Sequence, residues 1–266
     1  PGIAGIDTRA LTRHLREAGA MMGALATDGA SVEELRALVD AAPPMAGAEL
    51  VSEVTTDAPY AFEQPSWGRA RPSPRVHVVV FDFGVKRNIL RRLVDAGARV
   101  TVVPARTKLE ALEELAPDGV LLSNGPGDPA AVSEVISEVR RILEARPALP
   151  VFGICLGHQI LCLALGGRTY KLKFGHHGGN HPVRSERGGR VAITAQNHGF
   201  AVDLSSLGPA ELDQVNLFDG TVAGFRLRDR PVWGVQYHPE DAPGPHDANP
   251  LIAEFVQTVA RVAGAA

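Results

Sequence analysis

The 266-residue chain sets 27 Lys and Arg against 30 Asp and Glu, for a formal net charge of −3, and is 45% apolar. Those figures describe an ordinary globular protein of one large domain or one with a smaller companion, and exclude the basic footprint of nucleic-acid binding. No stretch is apolar enough to span a membrane as a helix, no basic-then-apolar leader opens the chain, and the two cysteines do not suggest a disulfide scaffold; a cytoplasmic setting is expected.

The chain starts at Pro1 without an initiator Met, and is expected to be a fragment. Asp7 predicts the N-cap of a helix running to about Ala18, which Gly19 ends. Ser31 and Glu34 have the spacing of a capping box, opening a second helix to about Ala41. Residues 43–75 hold Pro43, Pro44, Pro59, Pro65, Pro72 and Pro74 with little periodicity, which predicts a linker or extended crossing segment.

From Val76 strand and helix patterns alternate. Strands are predicted at 76–81, 99–103, 119–123 and 150–154, and helices at 86–96, after a Thr107 cap, and at 131–145. Near-continuous apolar strands in such a series predict a parallel sheet covered on both faces. After Arg168 short strands follow one another at 169–174, 190–195, 222–228 and 231–237, as expected of antiparallel hairpins on the sheet edge. Residues 249–263 predict a closing amphipathic helix.

Pro150-Val-Phe-Gly-Ile-Cys-Leu-Gly-His-Gln159 is the chemically informative stretch. An apolar strand runs into Gly153-x-Cys155-x-Gly157 and then a helix pattern, the form of a nucleophile elbow with cysteine in place of serine. Such a turn sets Cys155 at a helix N-terminus, where backbone N–H groups favour a thiolate. Cys162 lies mid-helix among leucines and reads as core. A cysteine nucleophile needs a base and an orienter. The strand 232–237 delivers His238-Pro-Glu240, with the imidazole as base and Glu240 as orienter.

Ser123-Asn-Gly-Pro-Gly-Asp-Pro129 follows another strand. Its backbone can offer N–H groups to an oxyanion, together with the N–H of Leu156. A phosphate-binding loop fits less well, since the Gly-Lys-Ser/Thr of a P-loop is missing and Pro126 removes a donor. Asp82-Phe83-Gly84 spells a kinase tripeptide without the accompanying kinase signatures, and reads as a strand end. His176, His177 and His181 lie in a stretch without the usual spacing of metal ligands; a loop that shapes a site or interface is expected, with no metal.

Gly153–Gln159 with the distant His238-Pro-Glu240 resembles the class I glutamine amidotransferases. More narrowly, 122–129, Lys173-Phe-Gly-His-His-Gly-Gly-Asn-His-Pro182, Gln196-Asn-His-Gly-Phe-Ala-Val202, Pro243-Gly-Pro-His-Asp247 and Ile3–Arg9 resemble the small-subunit family of carbamoyl-phosphate synthases. The resemblance covers essentially the whole chain. It implies an α/β, flavodoxin-like, mostly parallel sheet with added antiparallel strands. Residues 1–42 would be the helical end of a preceding domain, 43–75 a linker and 76–266 the glutaminase domain.

The implied activity is glutamine hydrolysis through Cys155, His238 and Glu240, with Gly125, Gly127, Leu156, Gln159, Asn197, Gly199 and Phe200 lining the glutamine pocket. The ammonia would pass to a large subunit, in a heterodimer or higher oligomer, that makes carbamoyl phosphate from bicarbonate and ATP for arginine and pyrimidine synthesis. No cofactor is expected on this chain; ATP and Mg would bind the large subunit. A serine that the family's preceding domain lends to the site is expected to lie before Pro1. The competing readings are a stand-alone cysteine hydrolase of γ-glutamyl substrates and a noncatalytic interaction subunit, which the intact triad residues disfavour.

Overall fold

A computed structural model describes residues 1–208, 210–242, 244–248 and 250–265. Pro243 of the 243–247 stretch and Asn249, the expected start of the last helix, lie outside the described residues.

Helices α1 (Thr8–Ala18) and α2 (Val32–Ala41) begin as their caps predict. Asp7 Oδ1 accepts from Ala10 N at 2.9 Å, and Ser31 and Glu34 form the reciprocal capping box. Residues 43–75 hold more structure than their prolines suggest. They include a short helix α3 (Val51–Val54) and a strand β1 (Tyr60–Phe62), paired antiparallel with an outer strand of the sheet. Three residues are too few for a visible period, and the pairing is set by the partner strand.

The parallel part comprises β2 (Val76–Asp82), β3 (Ala98–Pro104), β4 (Gly119–Leu122), β5 (Val151–Ile154) and β10 (Val232–Val235). Successive side chains of a strand face opposite sides of the sheet, so two cores form. Val79, Phe81, Val120, Leu122 and Val151 pack on one side with Leu112 of α5 (Leu109–Leu115), Val135 and Val139 of α6 (Ser133–Ala145) and Ile160 of α7 (Leu156–Ala164). Val78, Val80, Val100, Leu121 and Phe152 pack on the other with Ile89 and Leu93 of α4 (Arg87–Asp95) and Ile252, Phe255 and Val259 of α8 (Pro250–Val262). The expected Thr107 cap is not used. Thr107 Oγ1 donates to Pro104 O, and Glu138 Oε1 on α6 accepts from Leu109 N at 2.7 Å to cap α5 from outside it.

The antiparallel part is longer than expected. β6 (Arg168–Ser185) and β7 (Val191–Asp203) run through the Gly- and His-rich stretch, with register shifts between Lys171 and His176 and between Gly178 and His181. Gly175 and Gly178, at φ +74° and +141°, supply the backbone freedom those shifts need. The expected histidine loop is therefore a bulged strand. β8 (Ala210–Asn216), unseen in the sequence because its apolar alternation is weak, joins β9 (Val222–Leu227) to β6. The last strand, β10, pairs antiparallel with β9 as the hairpin expectation has it, and on its other side pairs parallel with β5, which joins the hairpins to the main sheet. All ten strands form one sheet in the order β1-β3-β2-β4-β5-β10-β9-β8-β6-β7. Among the described residues no helix is long and apolar enough to cross a membrane.

Candidate active site

The turn from β5 into α7 lifts Cys155 into φ +53°, ψ −103°, a strained conformation for any residue but glycine. Its neighbours make the turn possible. A Cβ on Gly157 would fall 2.1 Å from Leu122 O, and one on Gly153 2.7 Å from the Gly157 backbone. Cys155 N donates to Val235 O at 2.8 Å, tying the elbow to β10. Leu156, first in α7 and next in the chain after Cys155, has a backbone N–H with no intrahelical acceptor, though its side chain is not part of the cavity lining.

The chain leaving β10 brings His238 to the same point, where His238 N donates to Ala195 O of β7 at 2.9 Å. His238 Nδ1 lies 2.9 Å from Glu240 Oε1, which leaves Nε2 for the side-chain hydrogen bond with Cys155. Burial disfavours an imidazolium here. The electrostatic interaction and hydrogen bond with Cys155, and those with the Glu240 carboxylate, outweigh that, and the His238 pKa rises to about 9. Burial likewise works against the Glu240 anion, yet the hydrogen bond and charge of His238, with Lys86, hold its carboxyl below the usual range. Lys86 Nζ sits 3.1 Å from the same Oε1, and Asn88 Nδ2 donates to the Glu240 carbonyl. Cys162 has none of this: it is buried, its pKa is pushed up to about 12 by that burial, and its Sγ faces Arg168 O.

Cys155 and His238 open on a cavity of about 750 Å³. Gly125, Gly127, Gln159, Asn197, Gly199 and Phe200 line it as well. Gly125 must be small, since its Cβ would meet Phe83 O at 2.1 Å, and Gly127 takes φ +93° against Ala48 O. Buried Gln159 spends its amide hydrogens inside the protein, on Phe200 O at 2.8 Å and Gln236 Oε1 at 3.0 Å; its own Oε1 is left to accept from a ligand. Asn197 Oδ1 is 2.9 Å from His177 Nδ1, and its carbonyl lies 4.0 Å from Cys155 Sγ. Of the histidine stretch, His176 and His181 are buried in a hydrogen-bonded cluster with Gln196, Asn216 and Asp219. Among the described residues no group of three or more His, Cys, Asp or Glu is placed to hold a metal.

Sequence reasoning gave no role to Lys86 or to Gln236, whose Nε2 points at Cys155 Sγ from 3.9 Å. Gln236 directly follows β10 between the core residues Val235 and Tyr237, and a polar residue buried that close to His238 is a signal that could have found it. It also missed the wall made by Met21, Met22 and Met45, all the methionines of the chain. Ala20 N donates to Lys173 O at 2.9 Å, and Gly47 N to Asp128 Oδ2 at 2.8 Å, which hold these segments over the cavity.

Residues 79–258 match the family model for glutamine amidotransferase class-I. Among curated proteins the chain is 55% identical to the carbamoyl phosphate synthase small chain of Synechococcus sp., over 96% of this chain and 66% of the relative. It is 49% identical to that of Chlorobaculum tepidum, over 98% and 70%, and 49% identical to that of Escherichia coli, over 97% and 69%. The chain thus spans about two thirds of the length of these relatives. Among solved structures, a Thermoplasma acidophilum protein assigned as a GMP synthase subunit superposes with a TM-score of 0.62 at 21% identity, over 71% of this chain and 96% of that one. That likeness is one of fold.

Proposed function

We propose, since this chain belongs to the class I glutamine amidotransferases and within them to the carbamoyl phosphate synthase small chains, that it hydrolyses L-glutamine and passes the ammonia to a larger synthetase chain. The observation that carries the reading is the Cys155–His238–Glu240 arrangement at the floor of a cavity large enough for an amino acid. Cys155 Sγ attacks the side-chain amide carbon of glutamine. The oxyanion that forms is met by the Leu156 N–H and the backbone of the Gly125–Gly127 loop. His238 gives its Nε2 proton to the departing nitrogen, ammonia leaves, and a γ-glutamyl thioester remains on Cys155. His238 then takes a proton from the attacking water, and glutamate is released. Glu240 fixes the imidazole through Nδ1 and stabilises its cation.

The larger chain would use the ammonia with bicarbonate and ATP, so ATP and Mg belong to it and no cofactor is assigned to this chain. Residues 76–266 form the glutaminase domain, to which β1 and Val51 of α3 from the 43–75 segment also contribute; residues 1–42 belong to a preceding helical domain. The test is Cys155→Ser in the complete enzyme. Glutamine-dependent synthesis should be lost and synthesis from added ammonia kept, because ammonia enters after the step Cys155 performs. Equal loss of both would make Cys155 structural. An electrophilic glutamine analogue should leave one adduct, assigned by fragment mass spectrometry to Cys155; labelling chiefly at Cys162 would contradict the mechanism.

A further inference from the structure

We propose that Arg92 and Asp241 form a buried clamp that positions the carboxylate of Glu240 against His238. The inference rests on the glutaminase reading and adds two positioning residues to that same site. Glu240 is fully buried, yet only its Oε1 is engaged, by His238 Nδ1 at 2.9 Å and Lys86 Nζ at 3.1 Å. Its Oε2 has no partner among the described residues. A carboxylate can accept on both oxygens, and one held through a single oxygen can swing about it. The aim of Glu240 is therefore set by the backbone that carries it.

That backbone is unusual. Asp241, the next residue, takes φ +62°, a region disfavoured for residues other than glycine. Its side chain holds it there. The Asp241 carboxylate is only 1% exposed; Oδ2 accepts from Arg92 Nη2 at 2.7 Å, and Oδ1 has no partner among the described residues. His246 Nδ1 is 3.5 Å from the same Oδ2, but that ring lies out in solvent. Arg92 is thus the partner that offsets the buried charge. It stands on a fixed element, because Ile89, Leu90 and Leu93 of α4 are buried against the sheet. Asn88, four residues before Arg92 and so on the same face of α4, donates to the Glu240 carbonyl. Lys86 Nζ donates to Ala242 O at 3.4 Å. The start of α4 therefore grips residues 240, 241 and 242 in succession. Neither Arg92 nor Asp241 lines the cavity, so the pair acts through Glu240.

The test measures glutamate release from glutamine, and synthesis from added ammonia, in the complete enzyme. The variants are Arg92→Leu, Arg92→Lys and the double variant Arg92→Leu/Asp241→Gly. Arg92→Leu strands a buried carboxylate and can fail to fold. The double variant removes that charge and gives the left-handed position to glycine, which takes it without strain. Its kcat for glutamine should fall about 10–100-fold with KM changed less than about twofold, because the aim of the base is lost and binding is not. Synthesis from ammonia should be unchanged. Arg92→Lys keeps the charge, and only one guanidinium nitrogen bonds Asp241, so its kcat should stay within about threefold of wild type. The downfield proton resonance of His238 Nδ1–H, hydrogen-bonded to Glu240, should move upfield in the double variant and stay in place in Arg92→Lys. A wild-type kcat or an unmoved resonance in the double variant would overturn the clamp. Equal loss of glutamine-dependent and ammonia-dependent synthesis would overturn it too, since a merely structural pair behaves that way. A wild type that releases no glutamate would overturn the glutaminase reading, and the resonance would then test the clamp by itself.

Discussion

Cys155 depends on what its neighbours lack. Its φ of +53° is tolerated because Gly153 and Gly157 let strand, elbow and helix close on one another. Gly157→Ala should therefore cost more than an ordinary helix substitution, although alanine is the better helix former. The added methyl meets Leu122 O at 2.1 Å, and the backbone of β4 and α7 must separate to admit it. A loss of about 1–3 kcal/mol in urea denaturation is expected, with slower labelling of Cys155 by a glutamine analogue. A variant as stable and as reactive as wild type would show that the elbow is slack. At this scale the triad was readable because each part sits in a short run: Gly153 to Gly157 around the cysteine, and His238-Pro-Glu240 at a strand end. Lys86 was not. It reaches Glu240 only because the loops after β2 and β10 meet over the sheet, and that meeting is a property of topology.

Elements differ in how firmly they are held. α7 buries eight of its nine residues, whereas α1 and α2 bury none. The first two helices rest on their caps and on few tertiary contacts, and exposed helices of this length are marginal in water. Amide hydrogen exchange in α1 and α2 should be faster than in α7 by several orders of magnitude, reflecting local opening. Ser31→Ala, which removes the Oγ bonded to Glu34 N, should speed exchange in α2 further and leave α7 unchanged. Equal protection of α2 and α7 would contradict this. The same contrast explains what was legible. The caps of α1 and α2 and the apolar runs of β2 to β5 are local signals, and they mark those elements closely. β1, β8 and the long reach of β6 and β7 exist through pairing. Their sequences carry too few apolar alternations, and in β6 glycine and histidine interrupt the period.

Over the whole molecule, the strand order β3-β2-β4-β5 reverses between β2 and β4, and the site lies beyond the carboxyl ends of these strands, where such sheets leave a crevice. The closely packed layers that build the crevice also bury titratable groups, with consequences for stability against pH. His238 has a native pKa near 9 against an ordinary 6.5. Between these values the native state holds a proton that the unfolded chain has lost, so stability falls as pH rises. His158 and His198 are displaced the other way, to about 3, chiefly by burial. Between pH 3 and 6.5 the unfolded chain binds protons that these native rings refuse, so stability falls as pH drops. Glu240, held below 4.5, adds to that acid loss as it protonates. The two slopes meet near pH 6.5, where the urea midpoint should peak. Cys155→Ser removes the interaction with Cys155 that helps raise the His238 pKa, so it should flatten the alkaline slope while the acid slope, owed to His158 and His198, stays. An unchanged alkaline slope in that variant would mean that Cys155 is not what raises the His238 pKa.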